Sequence, residues 1–293
     1  MSVLAVITTF NPNLKGLQDL LLSVESQADC IILIDNGSAV TAEREVCGLA
    51  SRFGCKYIFQ SDNPGLALAQ NEGIEYAVRN GFDYCLFLDQ DSCLTDGMVC
   101  NLLGGLMSRQ ECKIAAIGPS IRDACASHPS APEAAPDQPS GVRAVRLLIS
   151  SGMMIPTAVL ADVGRMDDSL FIDHVDHEWC LRASSKGYAL LQSRSAYLHH
   201  RLGDSSRRVW LLRWRSIAIH SPARDFYRVR NSILIARRSG LSRRTQYYLV
   251  VQSLAVVFFS FLLAPQKLSR LRYFSFALMD GFRNIAGKFG KQL

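Results

Sequence analysis

Tyr84-Cys85-Leu86-Phe87-Leu88-Asp89-Gln90-Asp91-Ser92 is the stretch on which the fold turns. Its apolar run is short and stops at once on two carboxylates separated by one residue, so it reads as a buried strand ending in an acidic turn. The same grammar repeats upstream. Leu4 to Thr8, Ile31 to Ile34 and Tyr57 to Phe59 are short apolar runs, and the second stops on Asp35-Asn36-Gly37-Ser38. Between them lie segments of helical period. Leu14, Leu17, Leu21 and Val24 share one face, and Asn63-Pro64-Gly65 breaks the chain before a helix carrying Leu66, Ala69, Gly73 and Ala77. Strands alternating with helices predict an α/β fold, a mostly parallel sheet with helices on both faces.

Downstream, Pro129, Pro132, Pro136 and Pro139 mark residues 125–141 as a variable surface loop without chemistry. Structure resumes at Arg146-Leu147-Leu148-Ile149-Ser150-Ser151-Gly152, and a helix is expected over Asp176 to Lys186, stopped by Gly187. From Ala223 onward the pattern is two or more helices. The organisation expected is one α/β catalytic domain over 1–222, with a ligand-binding part over 1–120 and a second part over 146–222. A basic, hydrophobic helical region over 223–293 follows.

The chain has 293 residues, 48% of them hydrophobic and 20% charged, which excludes a disordered, collagenous or disulfide-stapled protein. Its nine cysteines are odd in number and never spaced C-x-x-C, which fits a reducing cytosol and writes no zinc ribbon. Met1 to Ile7 lacks the basic region and cleavage site of a secretory signal and reads as a strand. Charge is divided along the chain. Residues 1–200 carry 14 Lys and Arg against 23 Asp and Glu, a net of −9, and residues 201–293 carry 18 against 3, a net of +15. A basic tail points to nucleic acid or to an anionic membrane surface. Thr245 to Gln266 favours the membrane over nucleic acid, because it holds no charge and is flanked by Arg243, Arg244, Lys267, Arg270 and Arg272. It is long enough to span a bilayer, yet Gln252, Ser253 and Ser260 interrupt it. A helix lying in the interface, a core helix or a homo-oligomer contact accounts for it equally well. The expected location is cytoplasmic, peripheral on the inner face of the cell membrane.

Asp35 and the Asp89/Asp91 pair each follow a strand, where open α/β sheets bind ligands. Two carboxylates one residue apart can approach one hard cation, Mg2+ or Mn2+, whose other ligands are phosphates and water. The implied ligand is a diphosphate; the plain alternative is capping of strands and helices by Asp. A second acidic segment, Asp173-His174-Val175-Asp176-His177-Glu178, opens a helix. Asp176 in its first turn is kept ionised by the helix dipole and suits a general base, with N-terminal capping as the plain reading. His174 and His177 also read as a weak zinc pair. His200, in His199-His200-Arg201, could complete a metal site or hold phosphate. Arg228, Arg230 and Asn231 could reach anionic donor or acceptor groups, with a solvated basic face as the default reading.

Taken in order, several motifs resemble glycosyltransferase family 2, and within it the bacterial rhamnosyltransferases. They are Val6-Ile7-Thr8-Thr9-Phe10-Asn11-Pro12, Ile34-Asp35-Asn36-Gly37-Ser38, Asn63-Pro64-Gly65 with Asn71-Glu72-Gly73, and Leu88-Asp89-Gln90-Asp91-Ser92. Ile149-Ser150-Ser151-Gly152, Phe171 to Glu178 and His200-Arg201-Leu202-Gly203 complete the set. The resemblance covers roughly residues 3–235. It implies a GT-A fold and an inverting transfer of L-rhamnose from dTDP-β-L-rhamnose to a saccharide or lipid-linked acceptor in cell-surface polysaccharide or glycolipid synthesis.

By position, Thr8, Thr9 and Asp35 would line the base and ribose pocket, with Asn11 and Asn36 also on the donor. Asn63, Gly65 and Asn71 would shape the donor loop. Asp89, Gln90 and Asp91 would hold the nucleotide, with Asp91, Asp89 and His200 on Mg2+ or Mn2+. Asp176 would be the catalytic base, and Asp173, Glu178, Ser151 and Gly152 would meet the acceptor. Many family members have Glu where this chain has Val175, and Asp173 is the candidate substitute. Three rivals remain open, the first a family 2 transferase using another nucleotide sugar. An aspartyl phosphatase of the haloacid dehalogenase kind would phosphorylate Asp89, but there the acidic turn follows the first strand. A non-catalytic nucleotide-binding scaffold would keep the crevice without a base.

Overall fold

A computed structural model describes residues 1–109, 112–123, 141–200, 205–211, 213–238 and 241–290, with backbone alone for 123, 200, 205–211 and 213–218. The loop expected over 125–141 lies almost wholly outside the described residues. The chain divides into two units, Met1–Asp167 with Trp179–Arg201, and Asp168–Glu178 with Leu202–Leu293. The sequence places its boundary at residue 222. The structure instead groups residues 168–178 and 202–222 with the C-terminal helices.

The first unit is built on strands β1 (Val3–Thr9), β2 (Cys30–Asp35), β3 (Lys56–Phe59) and β4 (Tyr84–Asp89). They lie parallel in the order β3-β2-β1-β4. Val3 to Thr9 is buried along its whole length, as a strand covered on both faces must be. Helices α1 (Leu14–Val24), α2 (Val40–Arg52) and α3 (Leu66–Arg79) make the crossovers. Helix α1 buries Leu17, Leu21 and Val24 of the stripe read from the sequence, adds Leu20 and leaves Leu14 half-buried, and Asn13 caps it by accepting from the Gly16 N–H at 2.9 Å. In α3, Gly73 lets the helix backbone rest on β1: a Cβ there would meet Val6 Cγ1 at 2.3 Å.

Beyond β4 the sheet becomes mixed. β5 (Ser92–Leu94), β6 (Ile114–Asp123), β7 (Val142–Val145), β8 (Met154–Pro156) and β9 (Ala189–His200) extend it in the order β4-β8-β6-β9-β5, with β7 on β9. Helix α4 (Met98–Met107) and the short α5 (Thr157–Val163) pack beside these strands. Arg146 to Gly152 forms no regular element; it is the turn that feeds β8.

The second unit begins with a single 3-10 turn at Asp168–Leu170 and the loop leading into α6 (Val175–Ser185), which starts here and matches the helix expected from Asp176. An antiparallel hairpin that the sequence did not suggest, β10 (Ser205–Leu211) with β11 (Arg213–Ile219), precedes three helices. These are α7 (Pro222–Ala236), α8 (Arg243–Leu263) and α9 (Lys267–Arg283). Their core is aromatic. Phe226, Tyr227, Ile233, Val257 and Ala277 are buried together, with Tyr273, Phe276 and Phe289 against them.

Candidate active site

Register alone brings the two acidic turns of the first unit together. Thr9 lies opposite Asp35 on β2, and Thr8 opposite Asp89 on β4. The turns therefore flank the end of β1, about 10 Å apart at two strand spacings. The strand order changes hand here, the place where open α/β sheets leave a crevice.

On one side of this crevice the polar groups are buried and unsatisfied. Asp35 is 0% exposed; its Oδ1 accepts from the Ser38 N–H at 2.8 Å, while Oδ2 has no partner among the described residues. Thr9 Oγ1 and the Tyr57 hydroxyl are in the same state. Burial, with the charge of Asp35 next in weight, pushes the Tyr57 hydroxyl pKa up. A buried polar atom left unpaired costs about 1–3 kcal/mol, so a cluster of three marks where a ligand supplies the missing partners. Tyr57 was not singled out by the sequence, where its place in a short strand made it look like core.

The rim of the crevice is a set of interlocked turns. The Asn36 N–H donates to Thr9 O at 2.7 Å, and the Asn11 N–H donates to Ser38 Oγ at 2.7 Å while Asn11 Oδ1 accepts from the Ala39 N–H. The Gly65 N–H reaches Asn36 Oδ1 at 3.4 Å. Gly37 has φ 84°, and a Cβ on it would lie 2.5 Å from the Asn63 nitrogen, so the β2 turn and the Asn63-Pro64-Gly65 turn close on each other through this glycine.

Several residues expected on a ligand are engaged otherwise. Gln90 turns back to β1, accepting from the Phe10 N–H at 2.7 Å and donating to Phe10 O at 3.3 Å. Asn71 spends its amide on Met166, donating to its carbonyl and accepting from its N–H, both at 2.9 Å. The Ser151 hydroxyl is buried in a hydrogen bond with Ser92. Gly152, at φ 82°, is where a Cβ would strike Pro119 at 2.5 Å, and its N–H donates to Phe87 O. These four build the floor and walls; an amide in the middle of an acidic turn satisfies the backbone whenever the backbone is nearer than a ligand.

Asp89 is half-buried and Asp91 exposed at the end of β4. Two oxygen donors in this position suit a hard divalent cation that takes its remaining ligands from phosphate and water. Among the described residues no three His, Cys, Asp or Glu side chains converge on one point, so the protein by itself builds no closed cage. The backbone of His200 pairs with Ser92, the residue after Asp91. Its side chain lies outside the described residues.

In the second unit, Asp176 stands in the first turn of α6, where its Oδ1 accepts from the His177 N–H at 2.8 Å. Asp173 and Glu178, expected on the acceptor, are held by arginines. Arg224 lies 3.0 Å and Arg228 3.9 Å from Asp173 Oδ1, and Arg238 lies 3.0 Å from Glu178 Oε1. Burial would raise the Asp173 pKa, but Arg224 and Arg228 outweigh it and hold the carboxyl below its ordinary value. The zinc reading of the histidine pair finds no support: His174 Nδ1 is hydrogen-bonded to His177 Nδ1 at 3.1 Å and its Nε2 to Ser253 Oγ at 3.0 Å. Burial, then His177, draws the His174 pKa down to about 3, so the ring is neutral. Nor are Arg230 and Asn231 a solvated face, since they are 1% and 0% exposed.

Residues 4–119 of the chain match the Glycosyl transferase family 2 domain. The dTDP-rhamnosyl transferase RfbF of Shigella flexneri is 31% identical over 301 residues, spanning 98% of this chain and 97% of its own. Solved structures share the fold at low identity. S. aureus TarS 1–349 in complex with UDP-GlcNAc has a TM-score of 0.61 at 14% identity, covering 97% of this chain and 82% of its own. Mannosyltransferase PcManGT from Pyrobaculum calidifontis, in complex with GDP-Man and Mn2+, has a TM-score of 0.60 at 11% identity, covering 96% and 87%.

Proposed function

The chain belongs to glycosyltransferase family 2 as a rhamnosyltransferase of the bacterial kind, and from that premise we propose that it transfers L-rhamnose from dTDP-β-L-rhamnose, with inversion, to a hydroxyl of a saccharide or lipid-linked acceptor. The observation that carries the donor site is the buried, unpartnered Asp35 Oδ2 beside Thr9 Oγ1. A carboxyl oxygen in that place can accept the imide N–H of a pyrimidine base. Thymine and uracil both present that group, and the choice of dTDP rests on the likeness to the Shigella enzyme.

Asp89 and Asp91 would hold Mg2+ or Mn2+, which when bound supplies charge neutralisation to the departing diphosphate. The chain's own residues do the rest. Thr8 and Thr9 line the donor pocket, and the Asn11, Asn36 and Gly65 turns wall it from water. Asp176 takes the proton of the acceptor hydroxyl as that oxygen attacks the anomeric carbon opposite the leaving group. One displacement inverts the centre, so no covalent sugar intermediate is required.

We place the protein on the cytoplasmic face of the membrane, peripherally, because α8 leaves large apolar side chains on its exposed face. Ser253 and Ser260 point inward with Leu249 and Val257, while Tyr247, Tyr248, Val251, Phe258 and Leu262 are exposed. An outward apolar face bordered by Arg243, Arg244, Lys267 and Arg272 matches an anionic lipid surface.

The deciding experiment is a mass-spectrometric screen of lipid-linked acceptors with dTDP-rhamnose, run against UDP-sugars. A rhamnosyl product with dTDP-rhamnose alone is the expected result. Turnover only with a UDP-sugar would reassign the donor within the same family.

A further inference from the structure

Helix α7 turns one face on the loop that leads to Asp176. Three non-glycine residues of that loop are left-handed, Phe171 at φ 68°, Asp173 at 60° and His174 at 64°. For a bulky residue such as Phe171 this conformation is strained and persists only where its surroundings impose it. The surroundings here are side chains from two turns of α7 at helical spacing. Arg224 binds Asp173, the Tyr227 ring stacks on Phe171 with centroids 4.9 Å apart, and Asn231 closes the set. The buried Asn231 Nδ2 lies within hydrogen-bond distance of three loop carbonyls, Leu170 O at 2.9 Å, Ile172 O at 2.8 Å and Asp173 O at 2.8 Å, which share its two N–H donors. Arg230 fixes that amide, donating from Nε to Asn231 Oδ1 at 3.0 Å and from Nη2 to Leu170 O at 3.1 Å.

A guanidinium and an amide buried beside an aromatic core are expensive groups to place there unless fully paired. Among the described residues, every hydrogen-bond partner they find, apart from each other and Gly287 O, is a carbonyl of this loop, and the Phe226 and Tyr227 rings flank the guanidinium. What the burial secures is therefore the path of the backbone from Leu170 to His174, and Asp176 follows two residues later.

We propose that Asn231 is a positioning residue of the transfer reaction: by gathering the Leu170, Ile172 and Asp173 carbonyls it holds the left-handed loop that sets where Asp176 meets the acceptor hydroxyl, with Arg230 locking the amide. This rests on the reading of Asp176 as the base. Displacing a reacting group by about 1 Å lowers a rate by about 100-fold without removing substrate binding.

The test uses the full-length protein, Asn231→Ala and Asn231→Asp, and reads dTDP release from dTDP-rhamnose with water as acceptor, dTDP affinity by calorimetry, and hydrogen exchange over residues 168–176. Expected are a kcat lowered about 100-fold, a dTDP Kd within twofold of wild type, and exchange of the loop at least tenfold faster. Folded variants with kcat within threefold of wild type, or with dTDP affinity lost in step with kcat, would overturn the proposal. Should both fail to fold, Arg230→Lys decides: it is expected to lower kcat about tenfold and displace the acidic limb of the pH profile, and an unchanged kcat and limb would defeat the idea. Asp176→Asn run alongside separates the two readings. Wild-type turnover there removes the base, whereas wild-type turnover and exchange in the Asn231 variants remove the clamp alone.

Discussion

Asp91 and Asp35 differ in what their surroundings leave them to do. Asp91 is exposed at the tip of a turn whose other side chain, Gln90, is tied to Phe10. Its removal should leave the fold intact, because the side chain is exposed and not part of the core. Asp91→Ala is expected to abolish metal-dependent turnover with a melting temperature close to wild type; full activity of this variant in EDTA would contradict the assignment. Asp35 is wholly buried, with one oxygen capping the Ser38 N–H and the other unpartnered. A hydrogen bond to a charged group contributes about 1.5–3 kcal/mol, so Asp35→Ala should weaken dTDP binding by about 10- to 100-fold in titration calorimetry. Unaltered affinity would mean that the base binds elsewhere.

Among the elements, α3 shows where packing overrules helix propensity. Alanine is the better helix former by about 1 kcal/mol, yet a Cβ on Gly73 would lie 2.3 Å from Val6 on the central strand. Val6 is fixed between two neighbouring strands and cannot retreat. Gly73→Ala is therefore expected to destabilise by about 1–3 kcal/mol in denaturant unfolding, the range of overpacked cores; a gain in stability would show that the helix can lift without loss. Helix α7 makes the same point through polar groups. Its periodicity of Arg224, Tyr227, Arg228 and Asn231 is visible in the chain, but a charged stripe on an isolated helix looks solvated. Only the loop folded over it turns that stripe inward.

The charge that gathers in residues 201–293, +15 against −9 before them, acts on the molecule as a whole. Attraction of such a tail to anionic lipid is screened beyond about 10 Å at 0.1 M salt, whereas burial of the outward α8 face is not. Salt at 1 M is thus expected to release only part of the protein from phosphatidylserine vesicles in a flotation assay, and Tyr247→Ser with Phe258→Ser to release the rest. Recovery of the intact wild type in the soluble fraction at low salt would count against membrane attachment, and a stable soluble dimer would assign that face to a second copy. Stability should also depend on pH through His174. Its folded pKa, about 3, lies below its unfolded value near 6.5, so the unfolded chain binds more protons between these limits. The contribution is present above pH 6.5 and is lost as pH falls toward 3. Asp225 opposes it, since burial raises its pKa to about 6 and its contribution falls as pH rises from about 4 to 6. His174→Gln is expected to flatten the fall in melting temperature between pH 6.5 and 5, and an unchanged slope would refute the neutral ring.

The parallel strands, their helices and the acidic turns at strand ends were legible because each is local: a run of five apolar residues, a stripe of period 3.6, a carboxylate where the run stops. Asp35, Asp89 and the start of α6 stood where the chain itself announced them. The fates of Gln90, Asn71, Ser151, Asp173 and Glu178 were not legible, because whether a polar side chain faces a ligand, a backbone carbonyl or an arginine depends on partners tens of residues away. The same holds for Tyr57 and Asn231, whose types are ordinary and whose meaning lies in being buried beside an unpartnered carboxylate or a left-handed loop. Periodicity ranks residues by face along one element, but the pairing of one face with another is a long-range choice made by packing and by the high cost of an unsatisfied buried polar group.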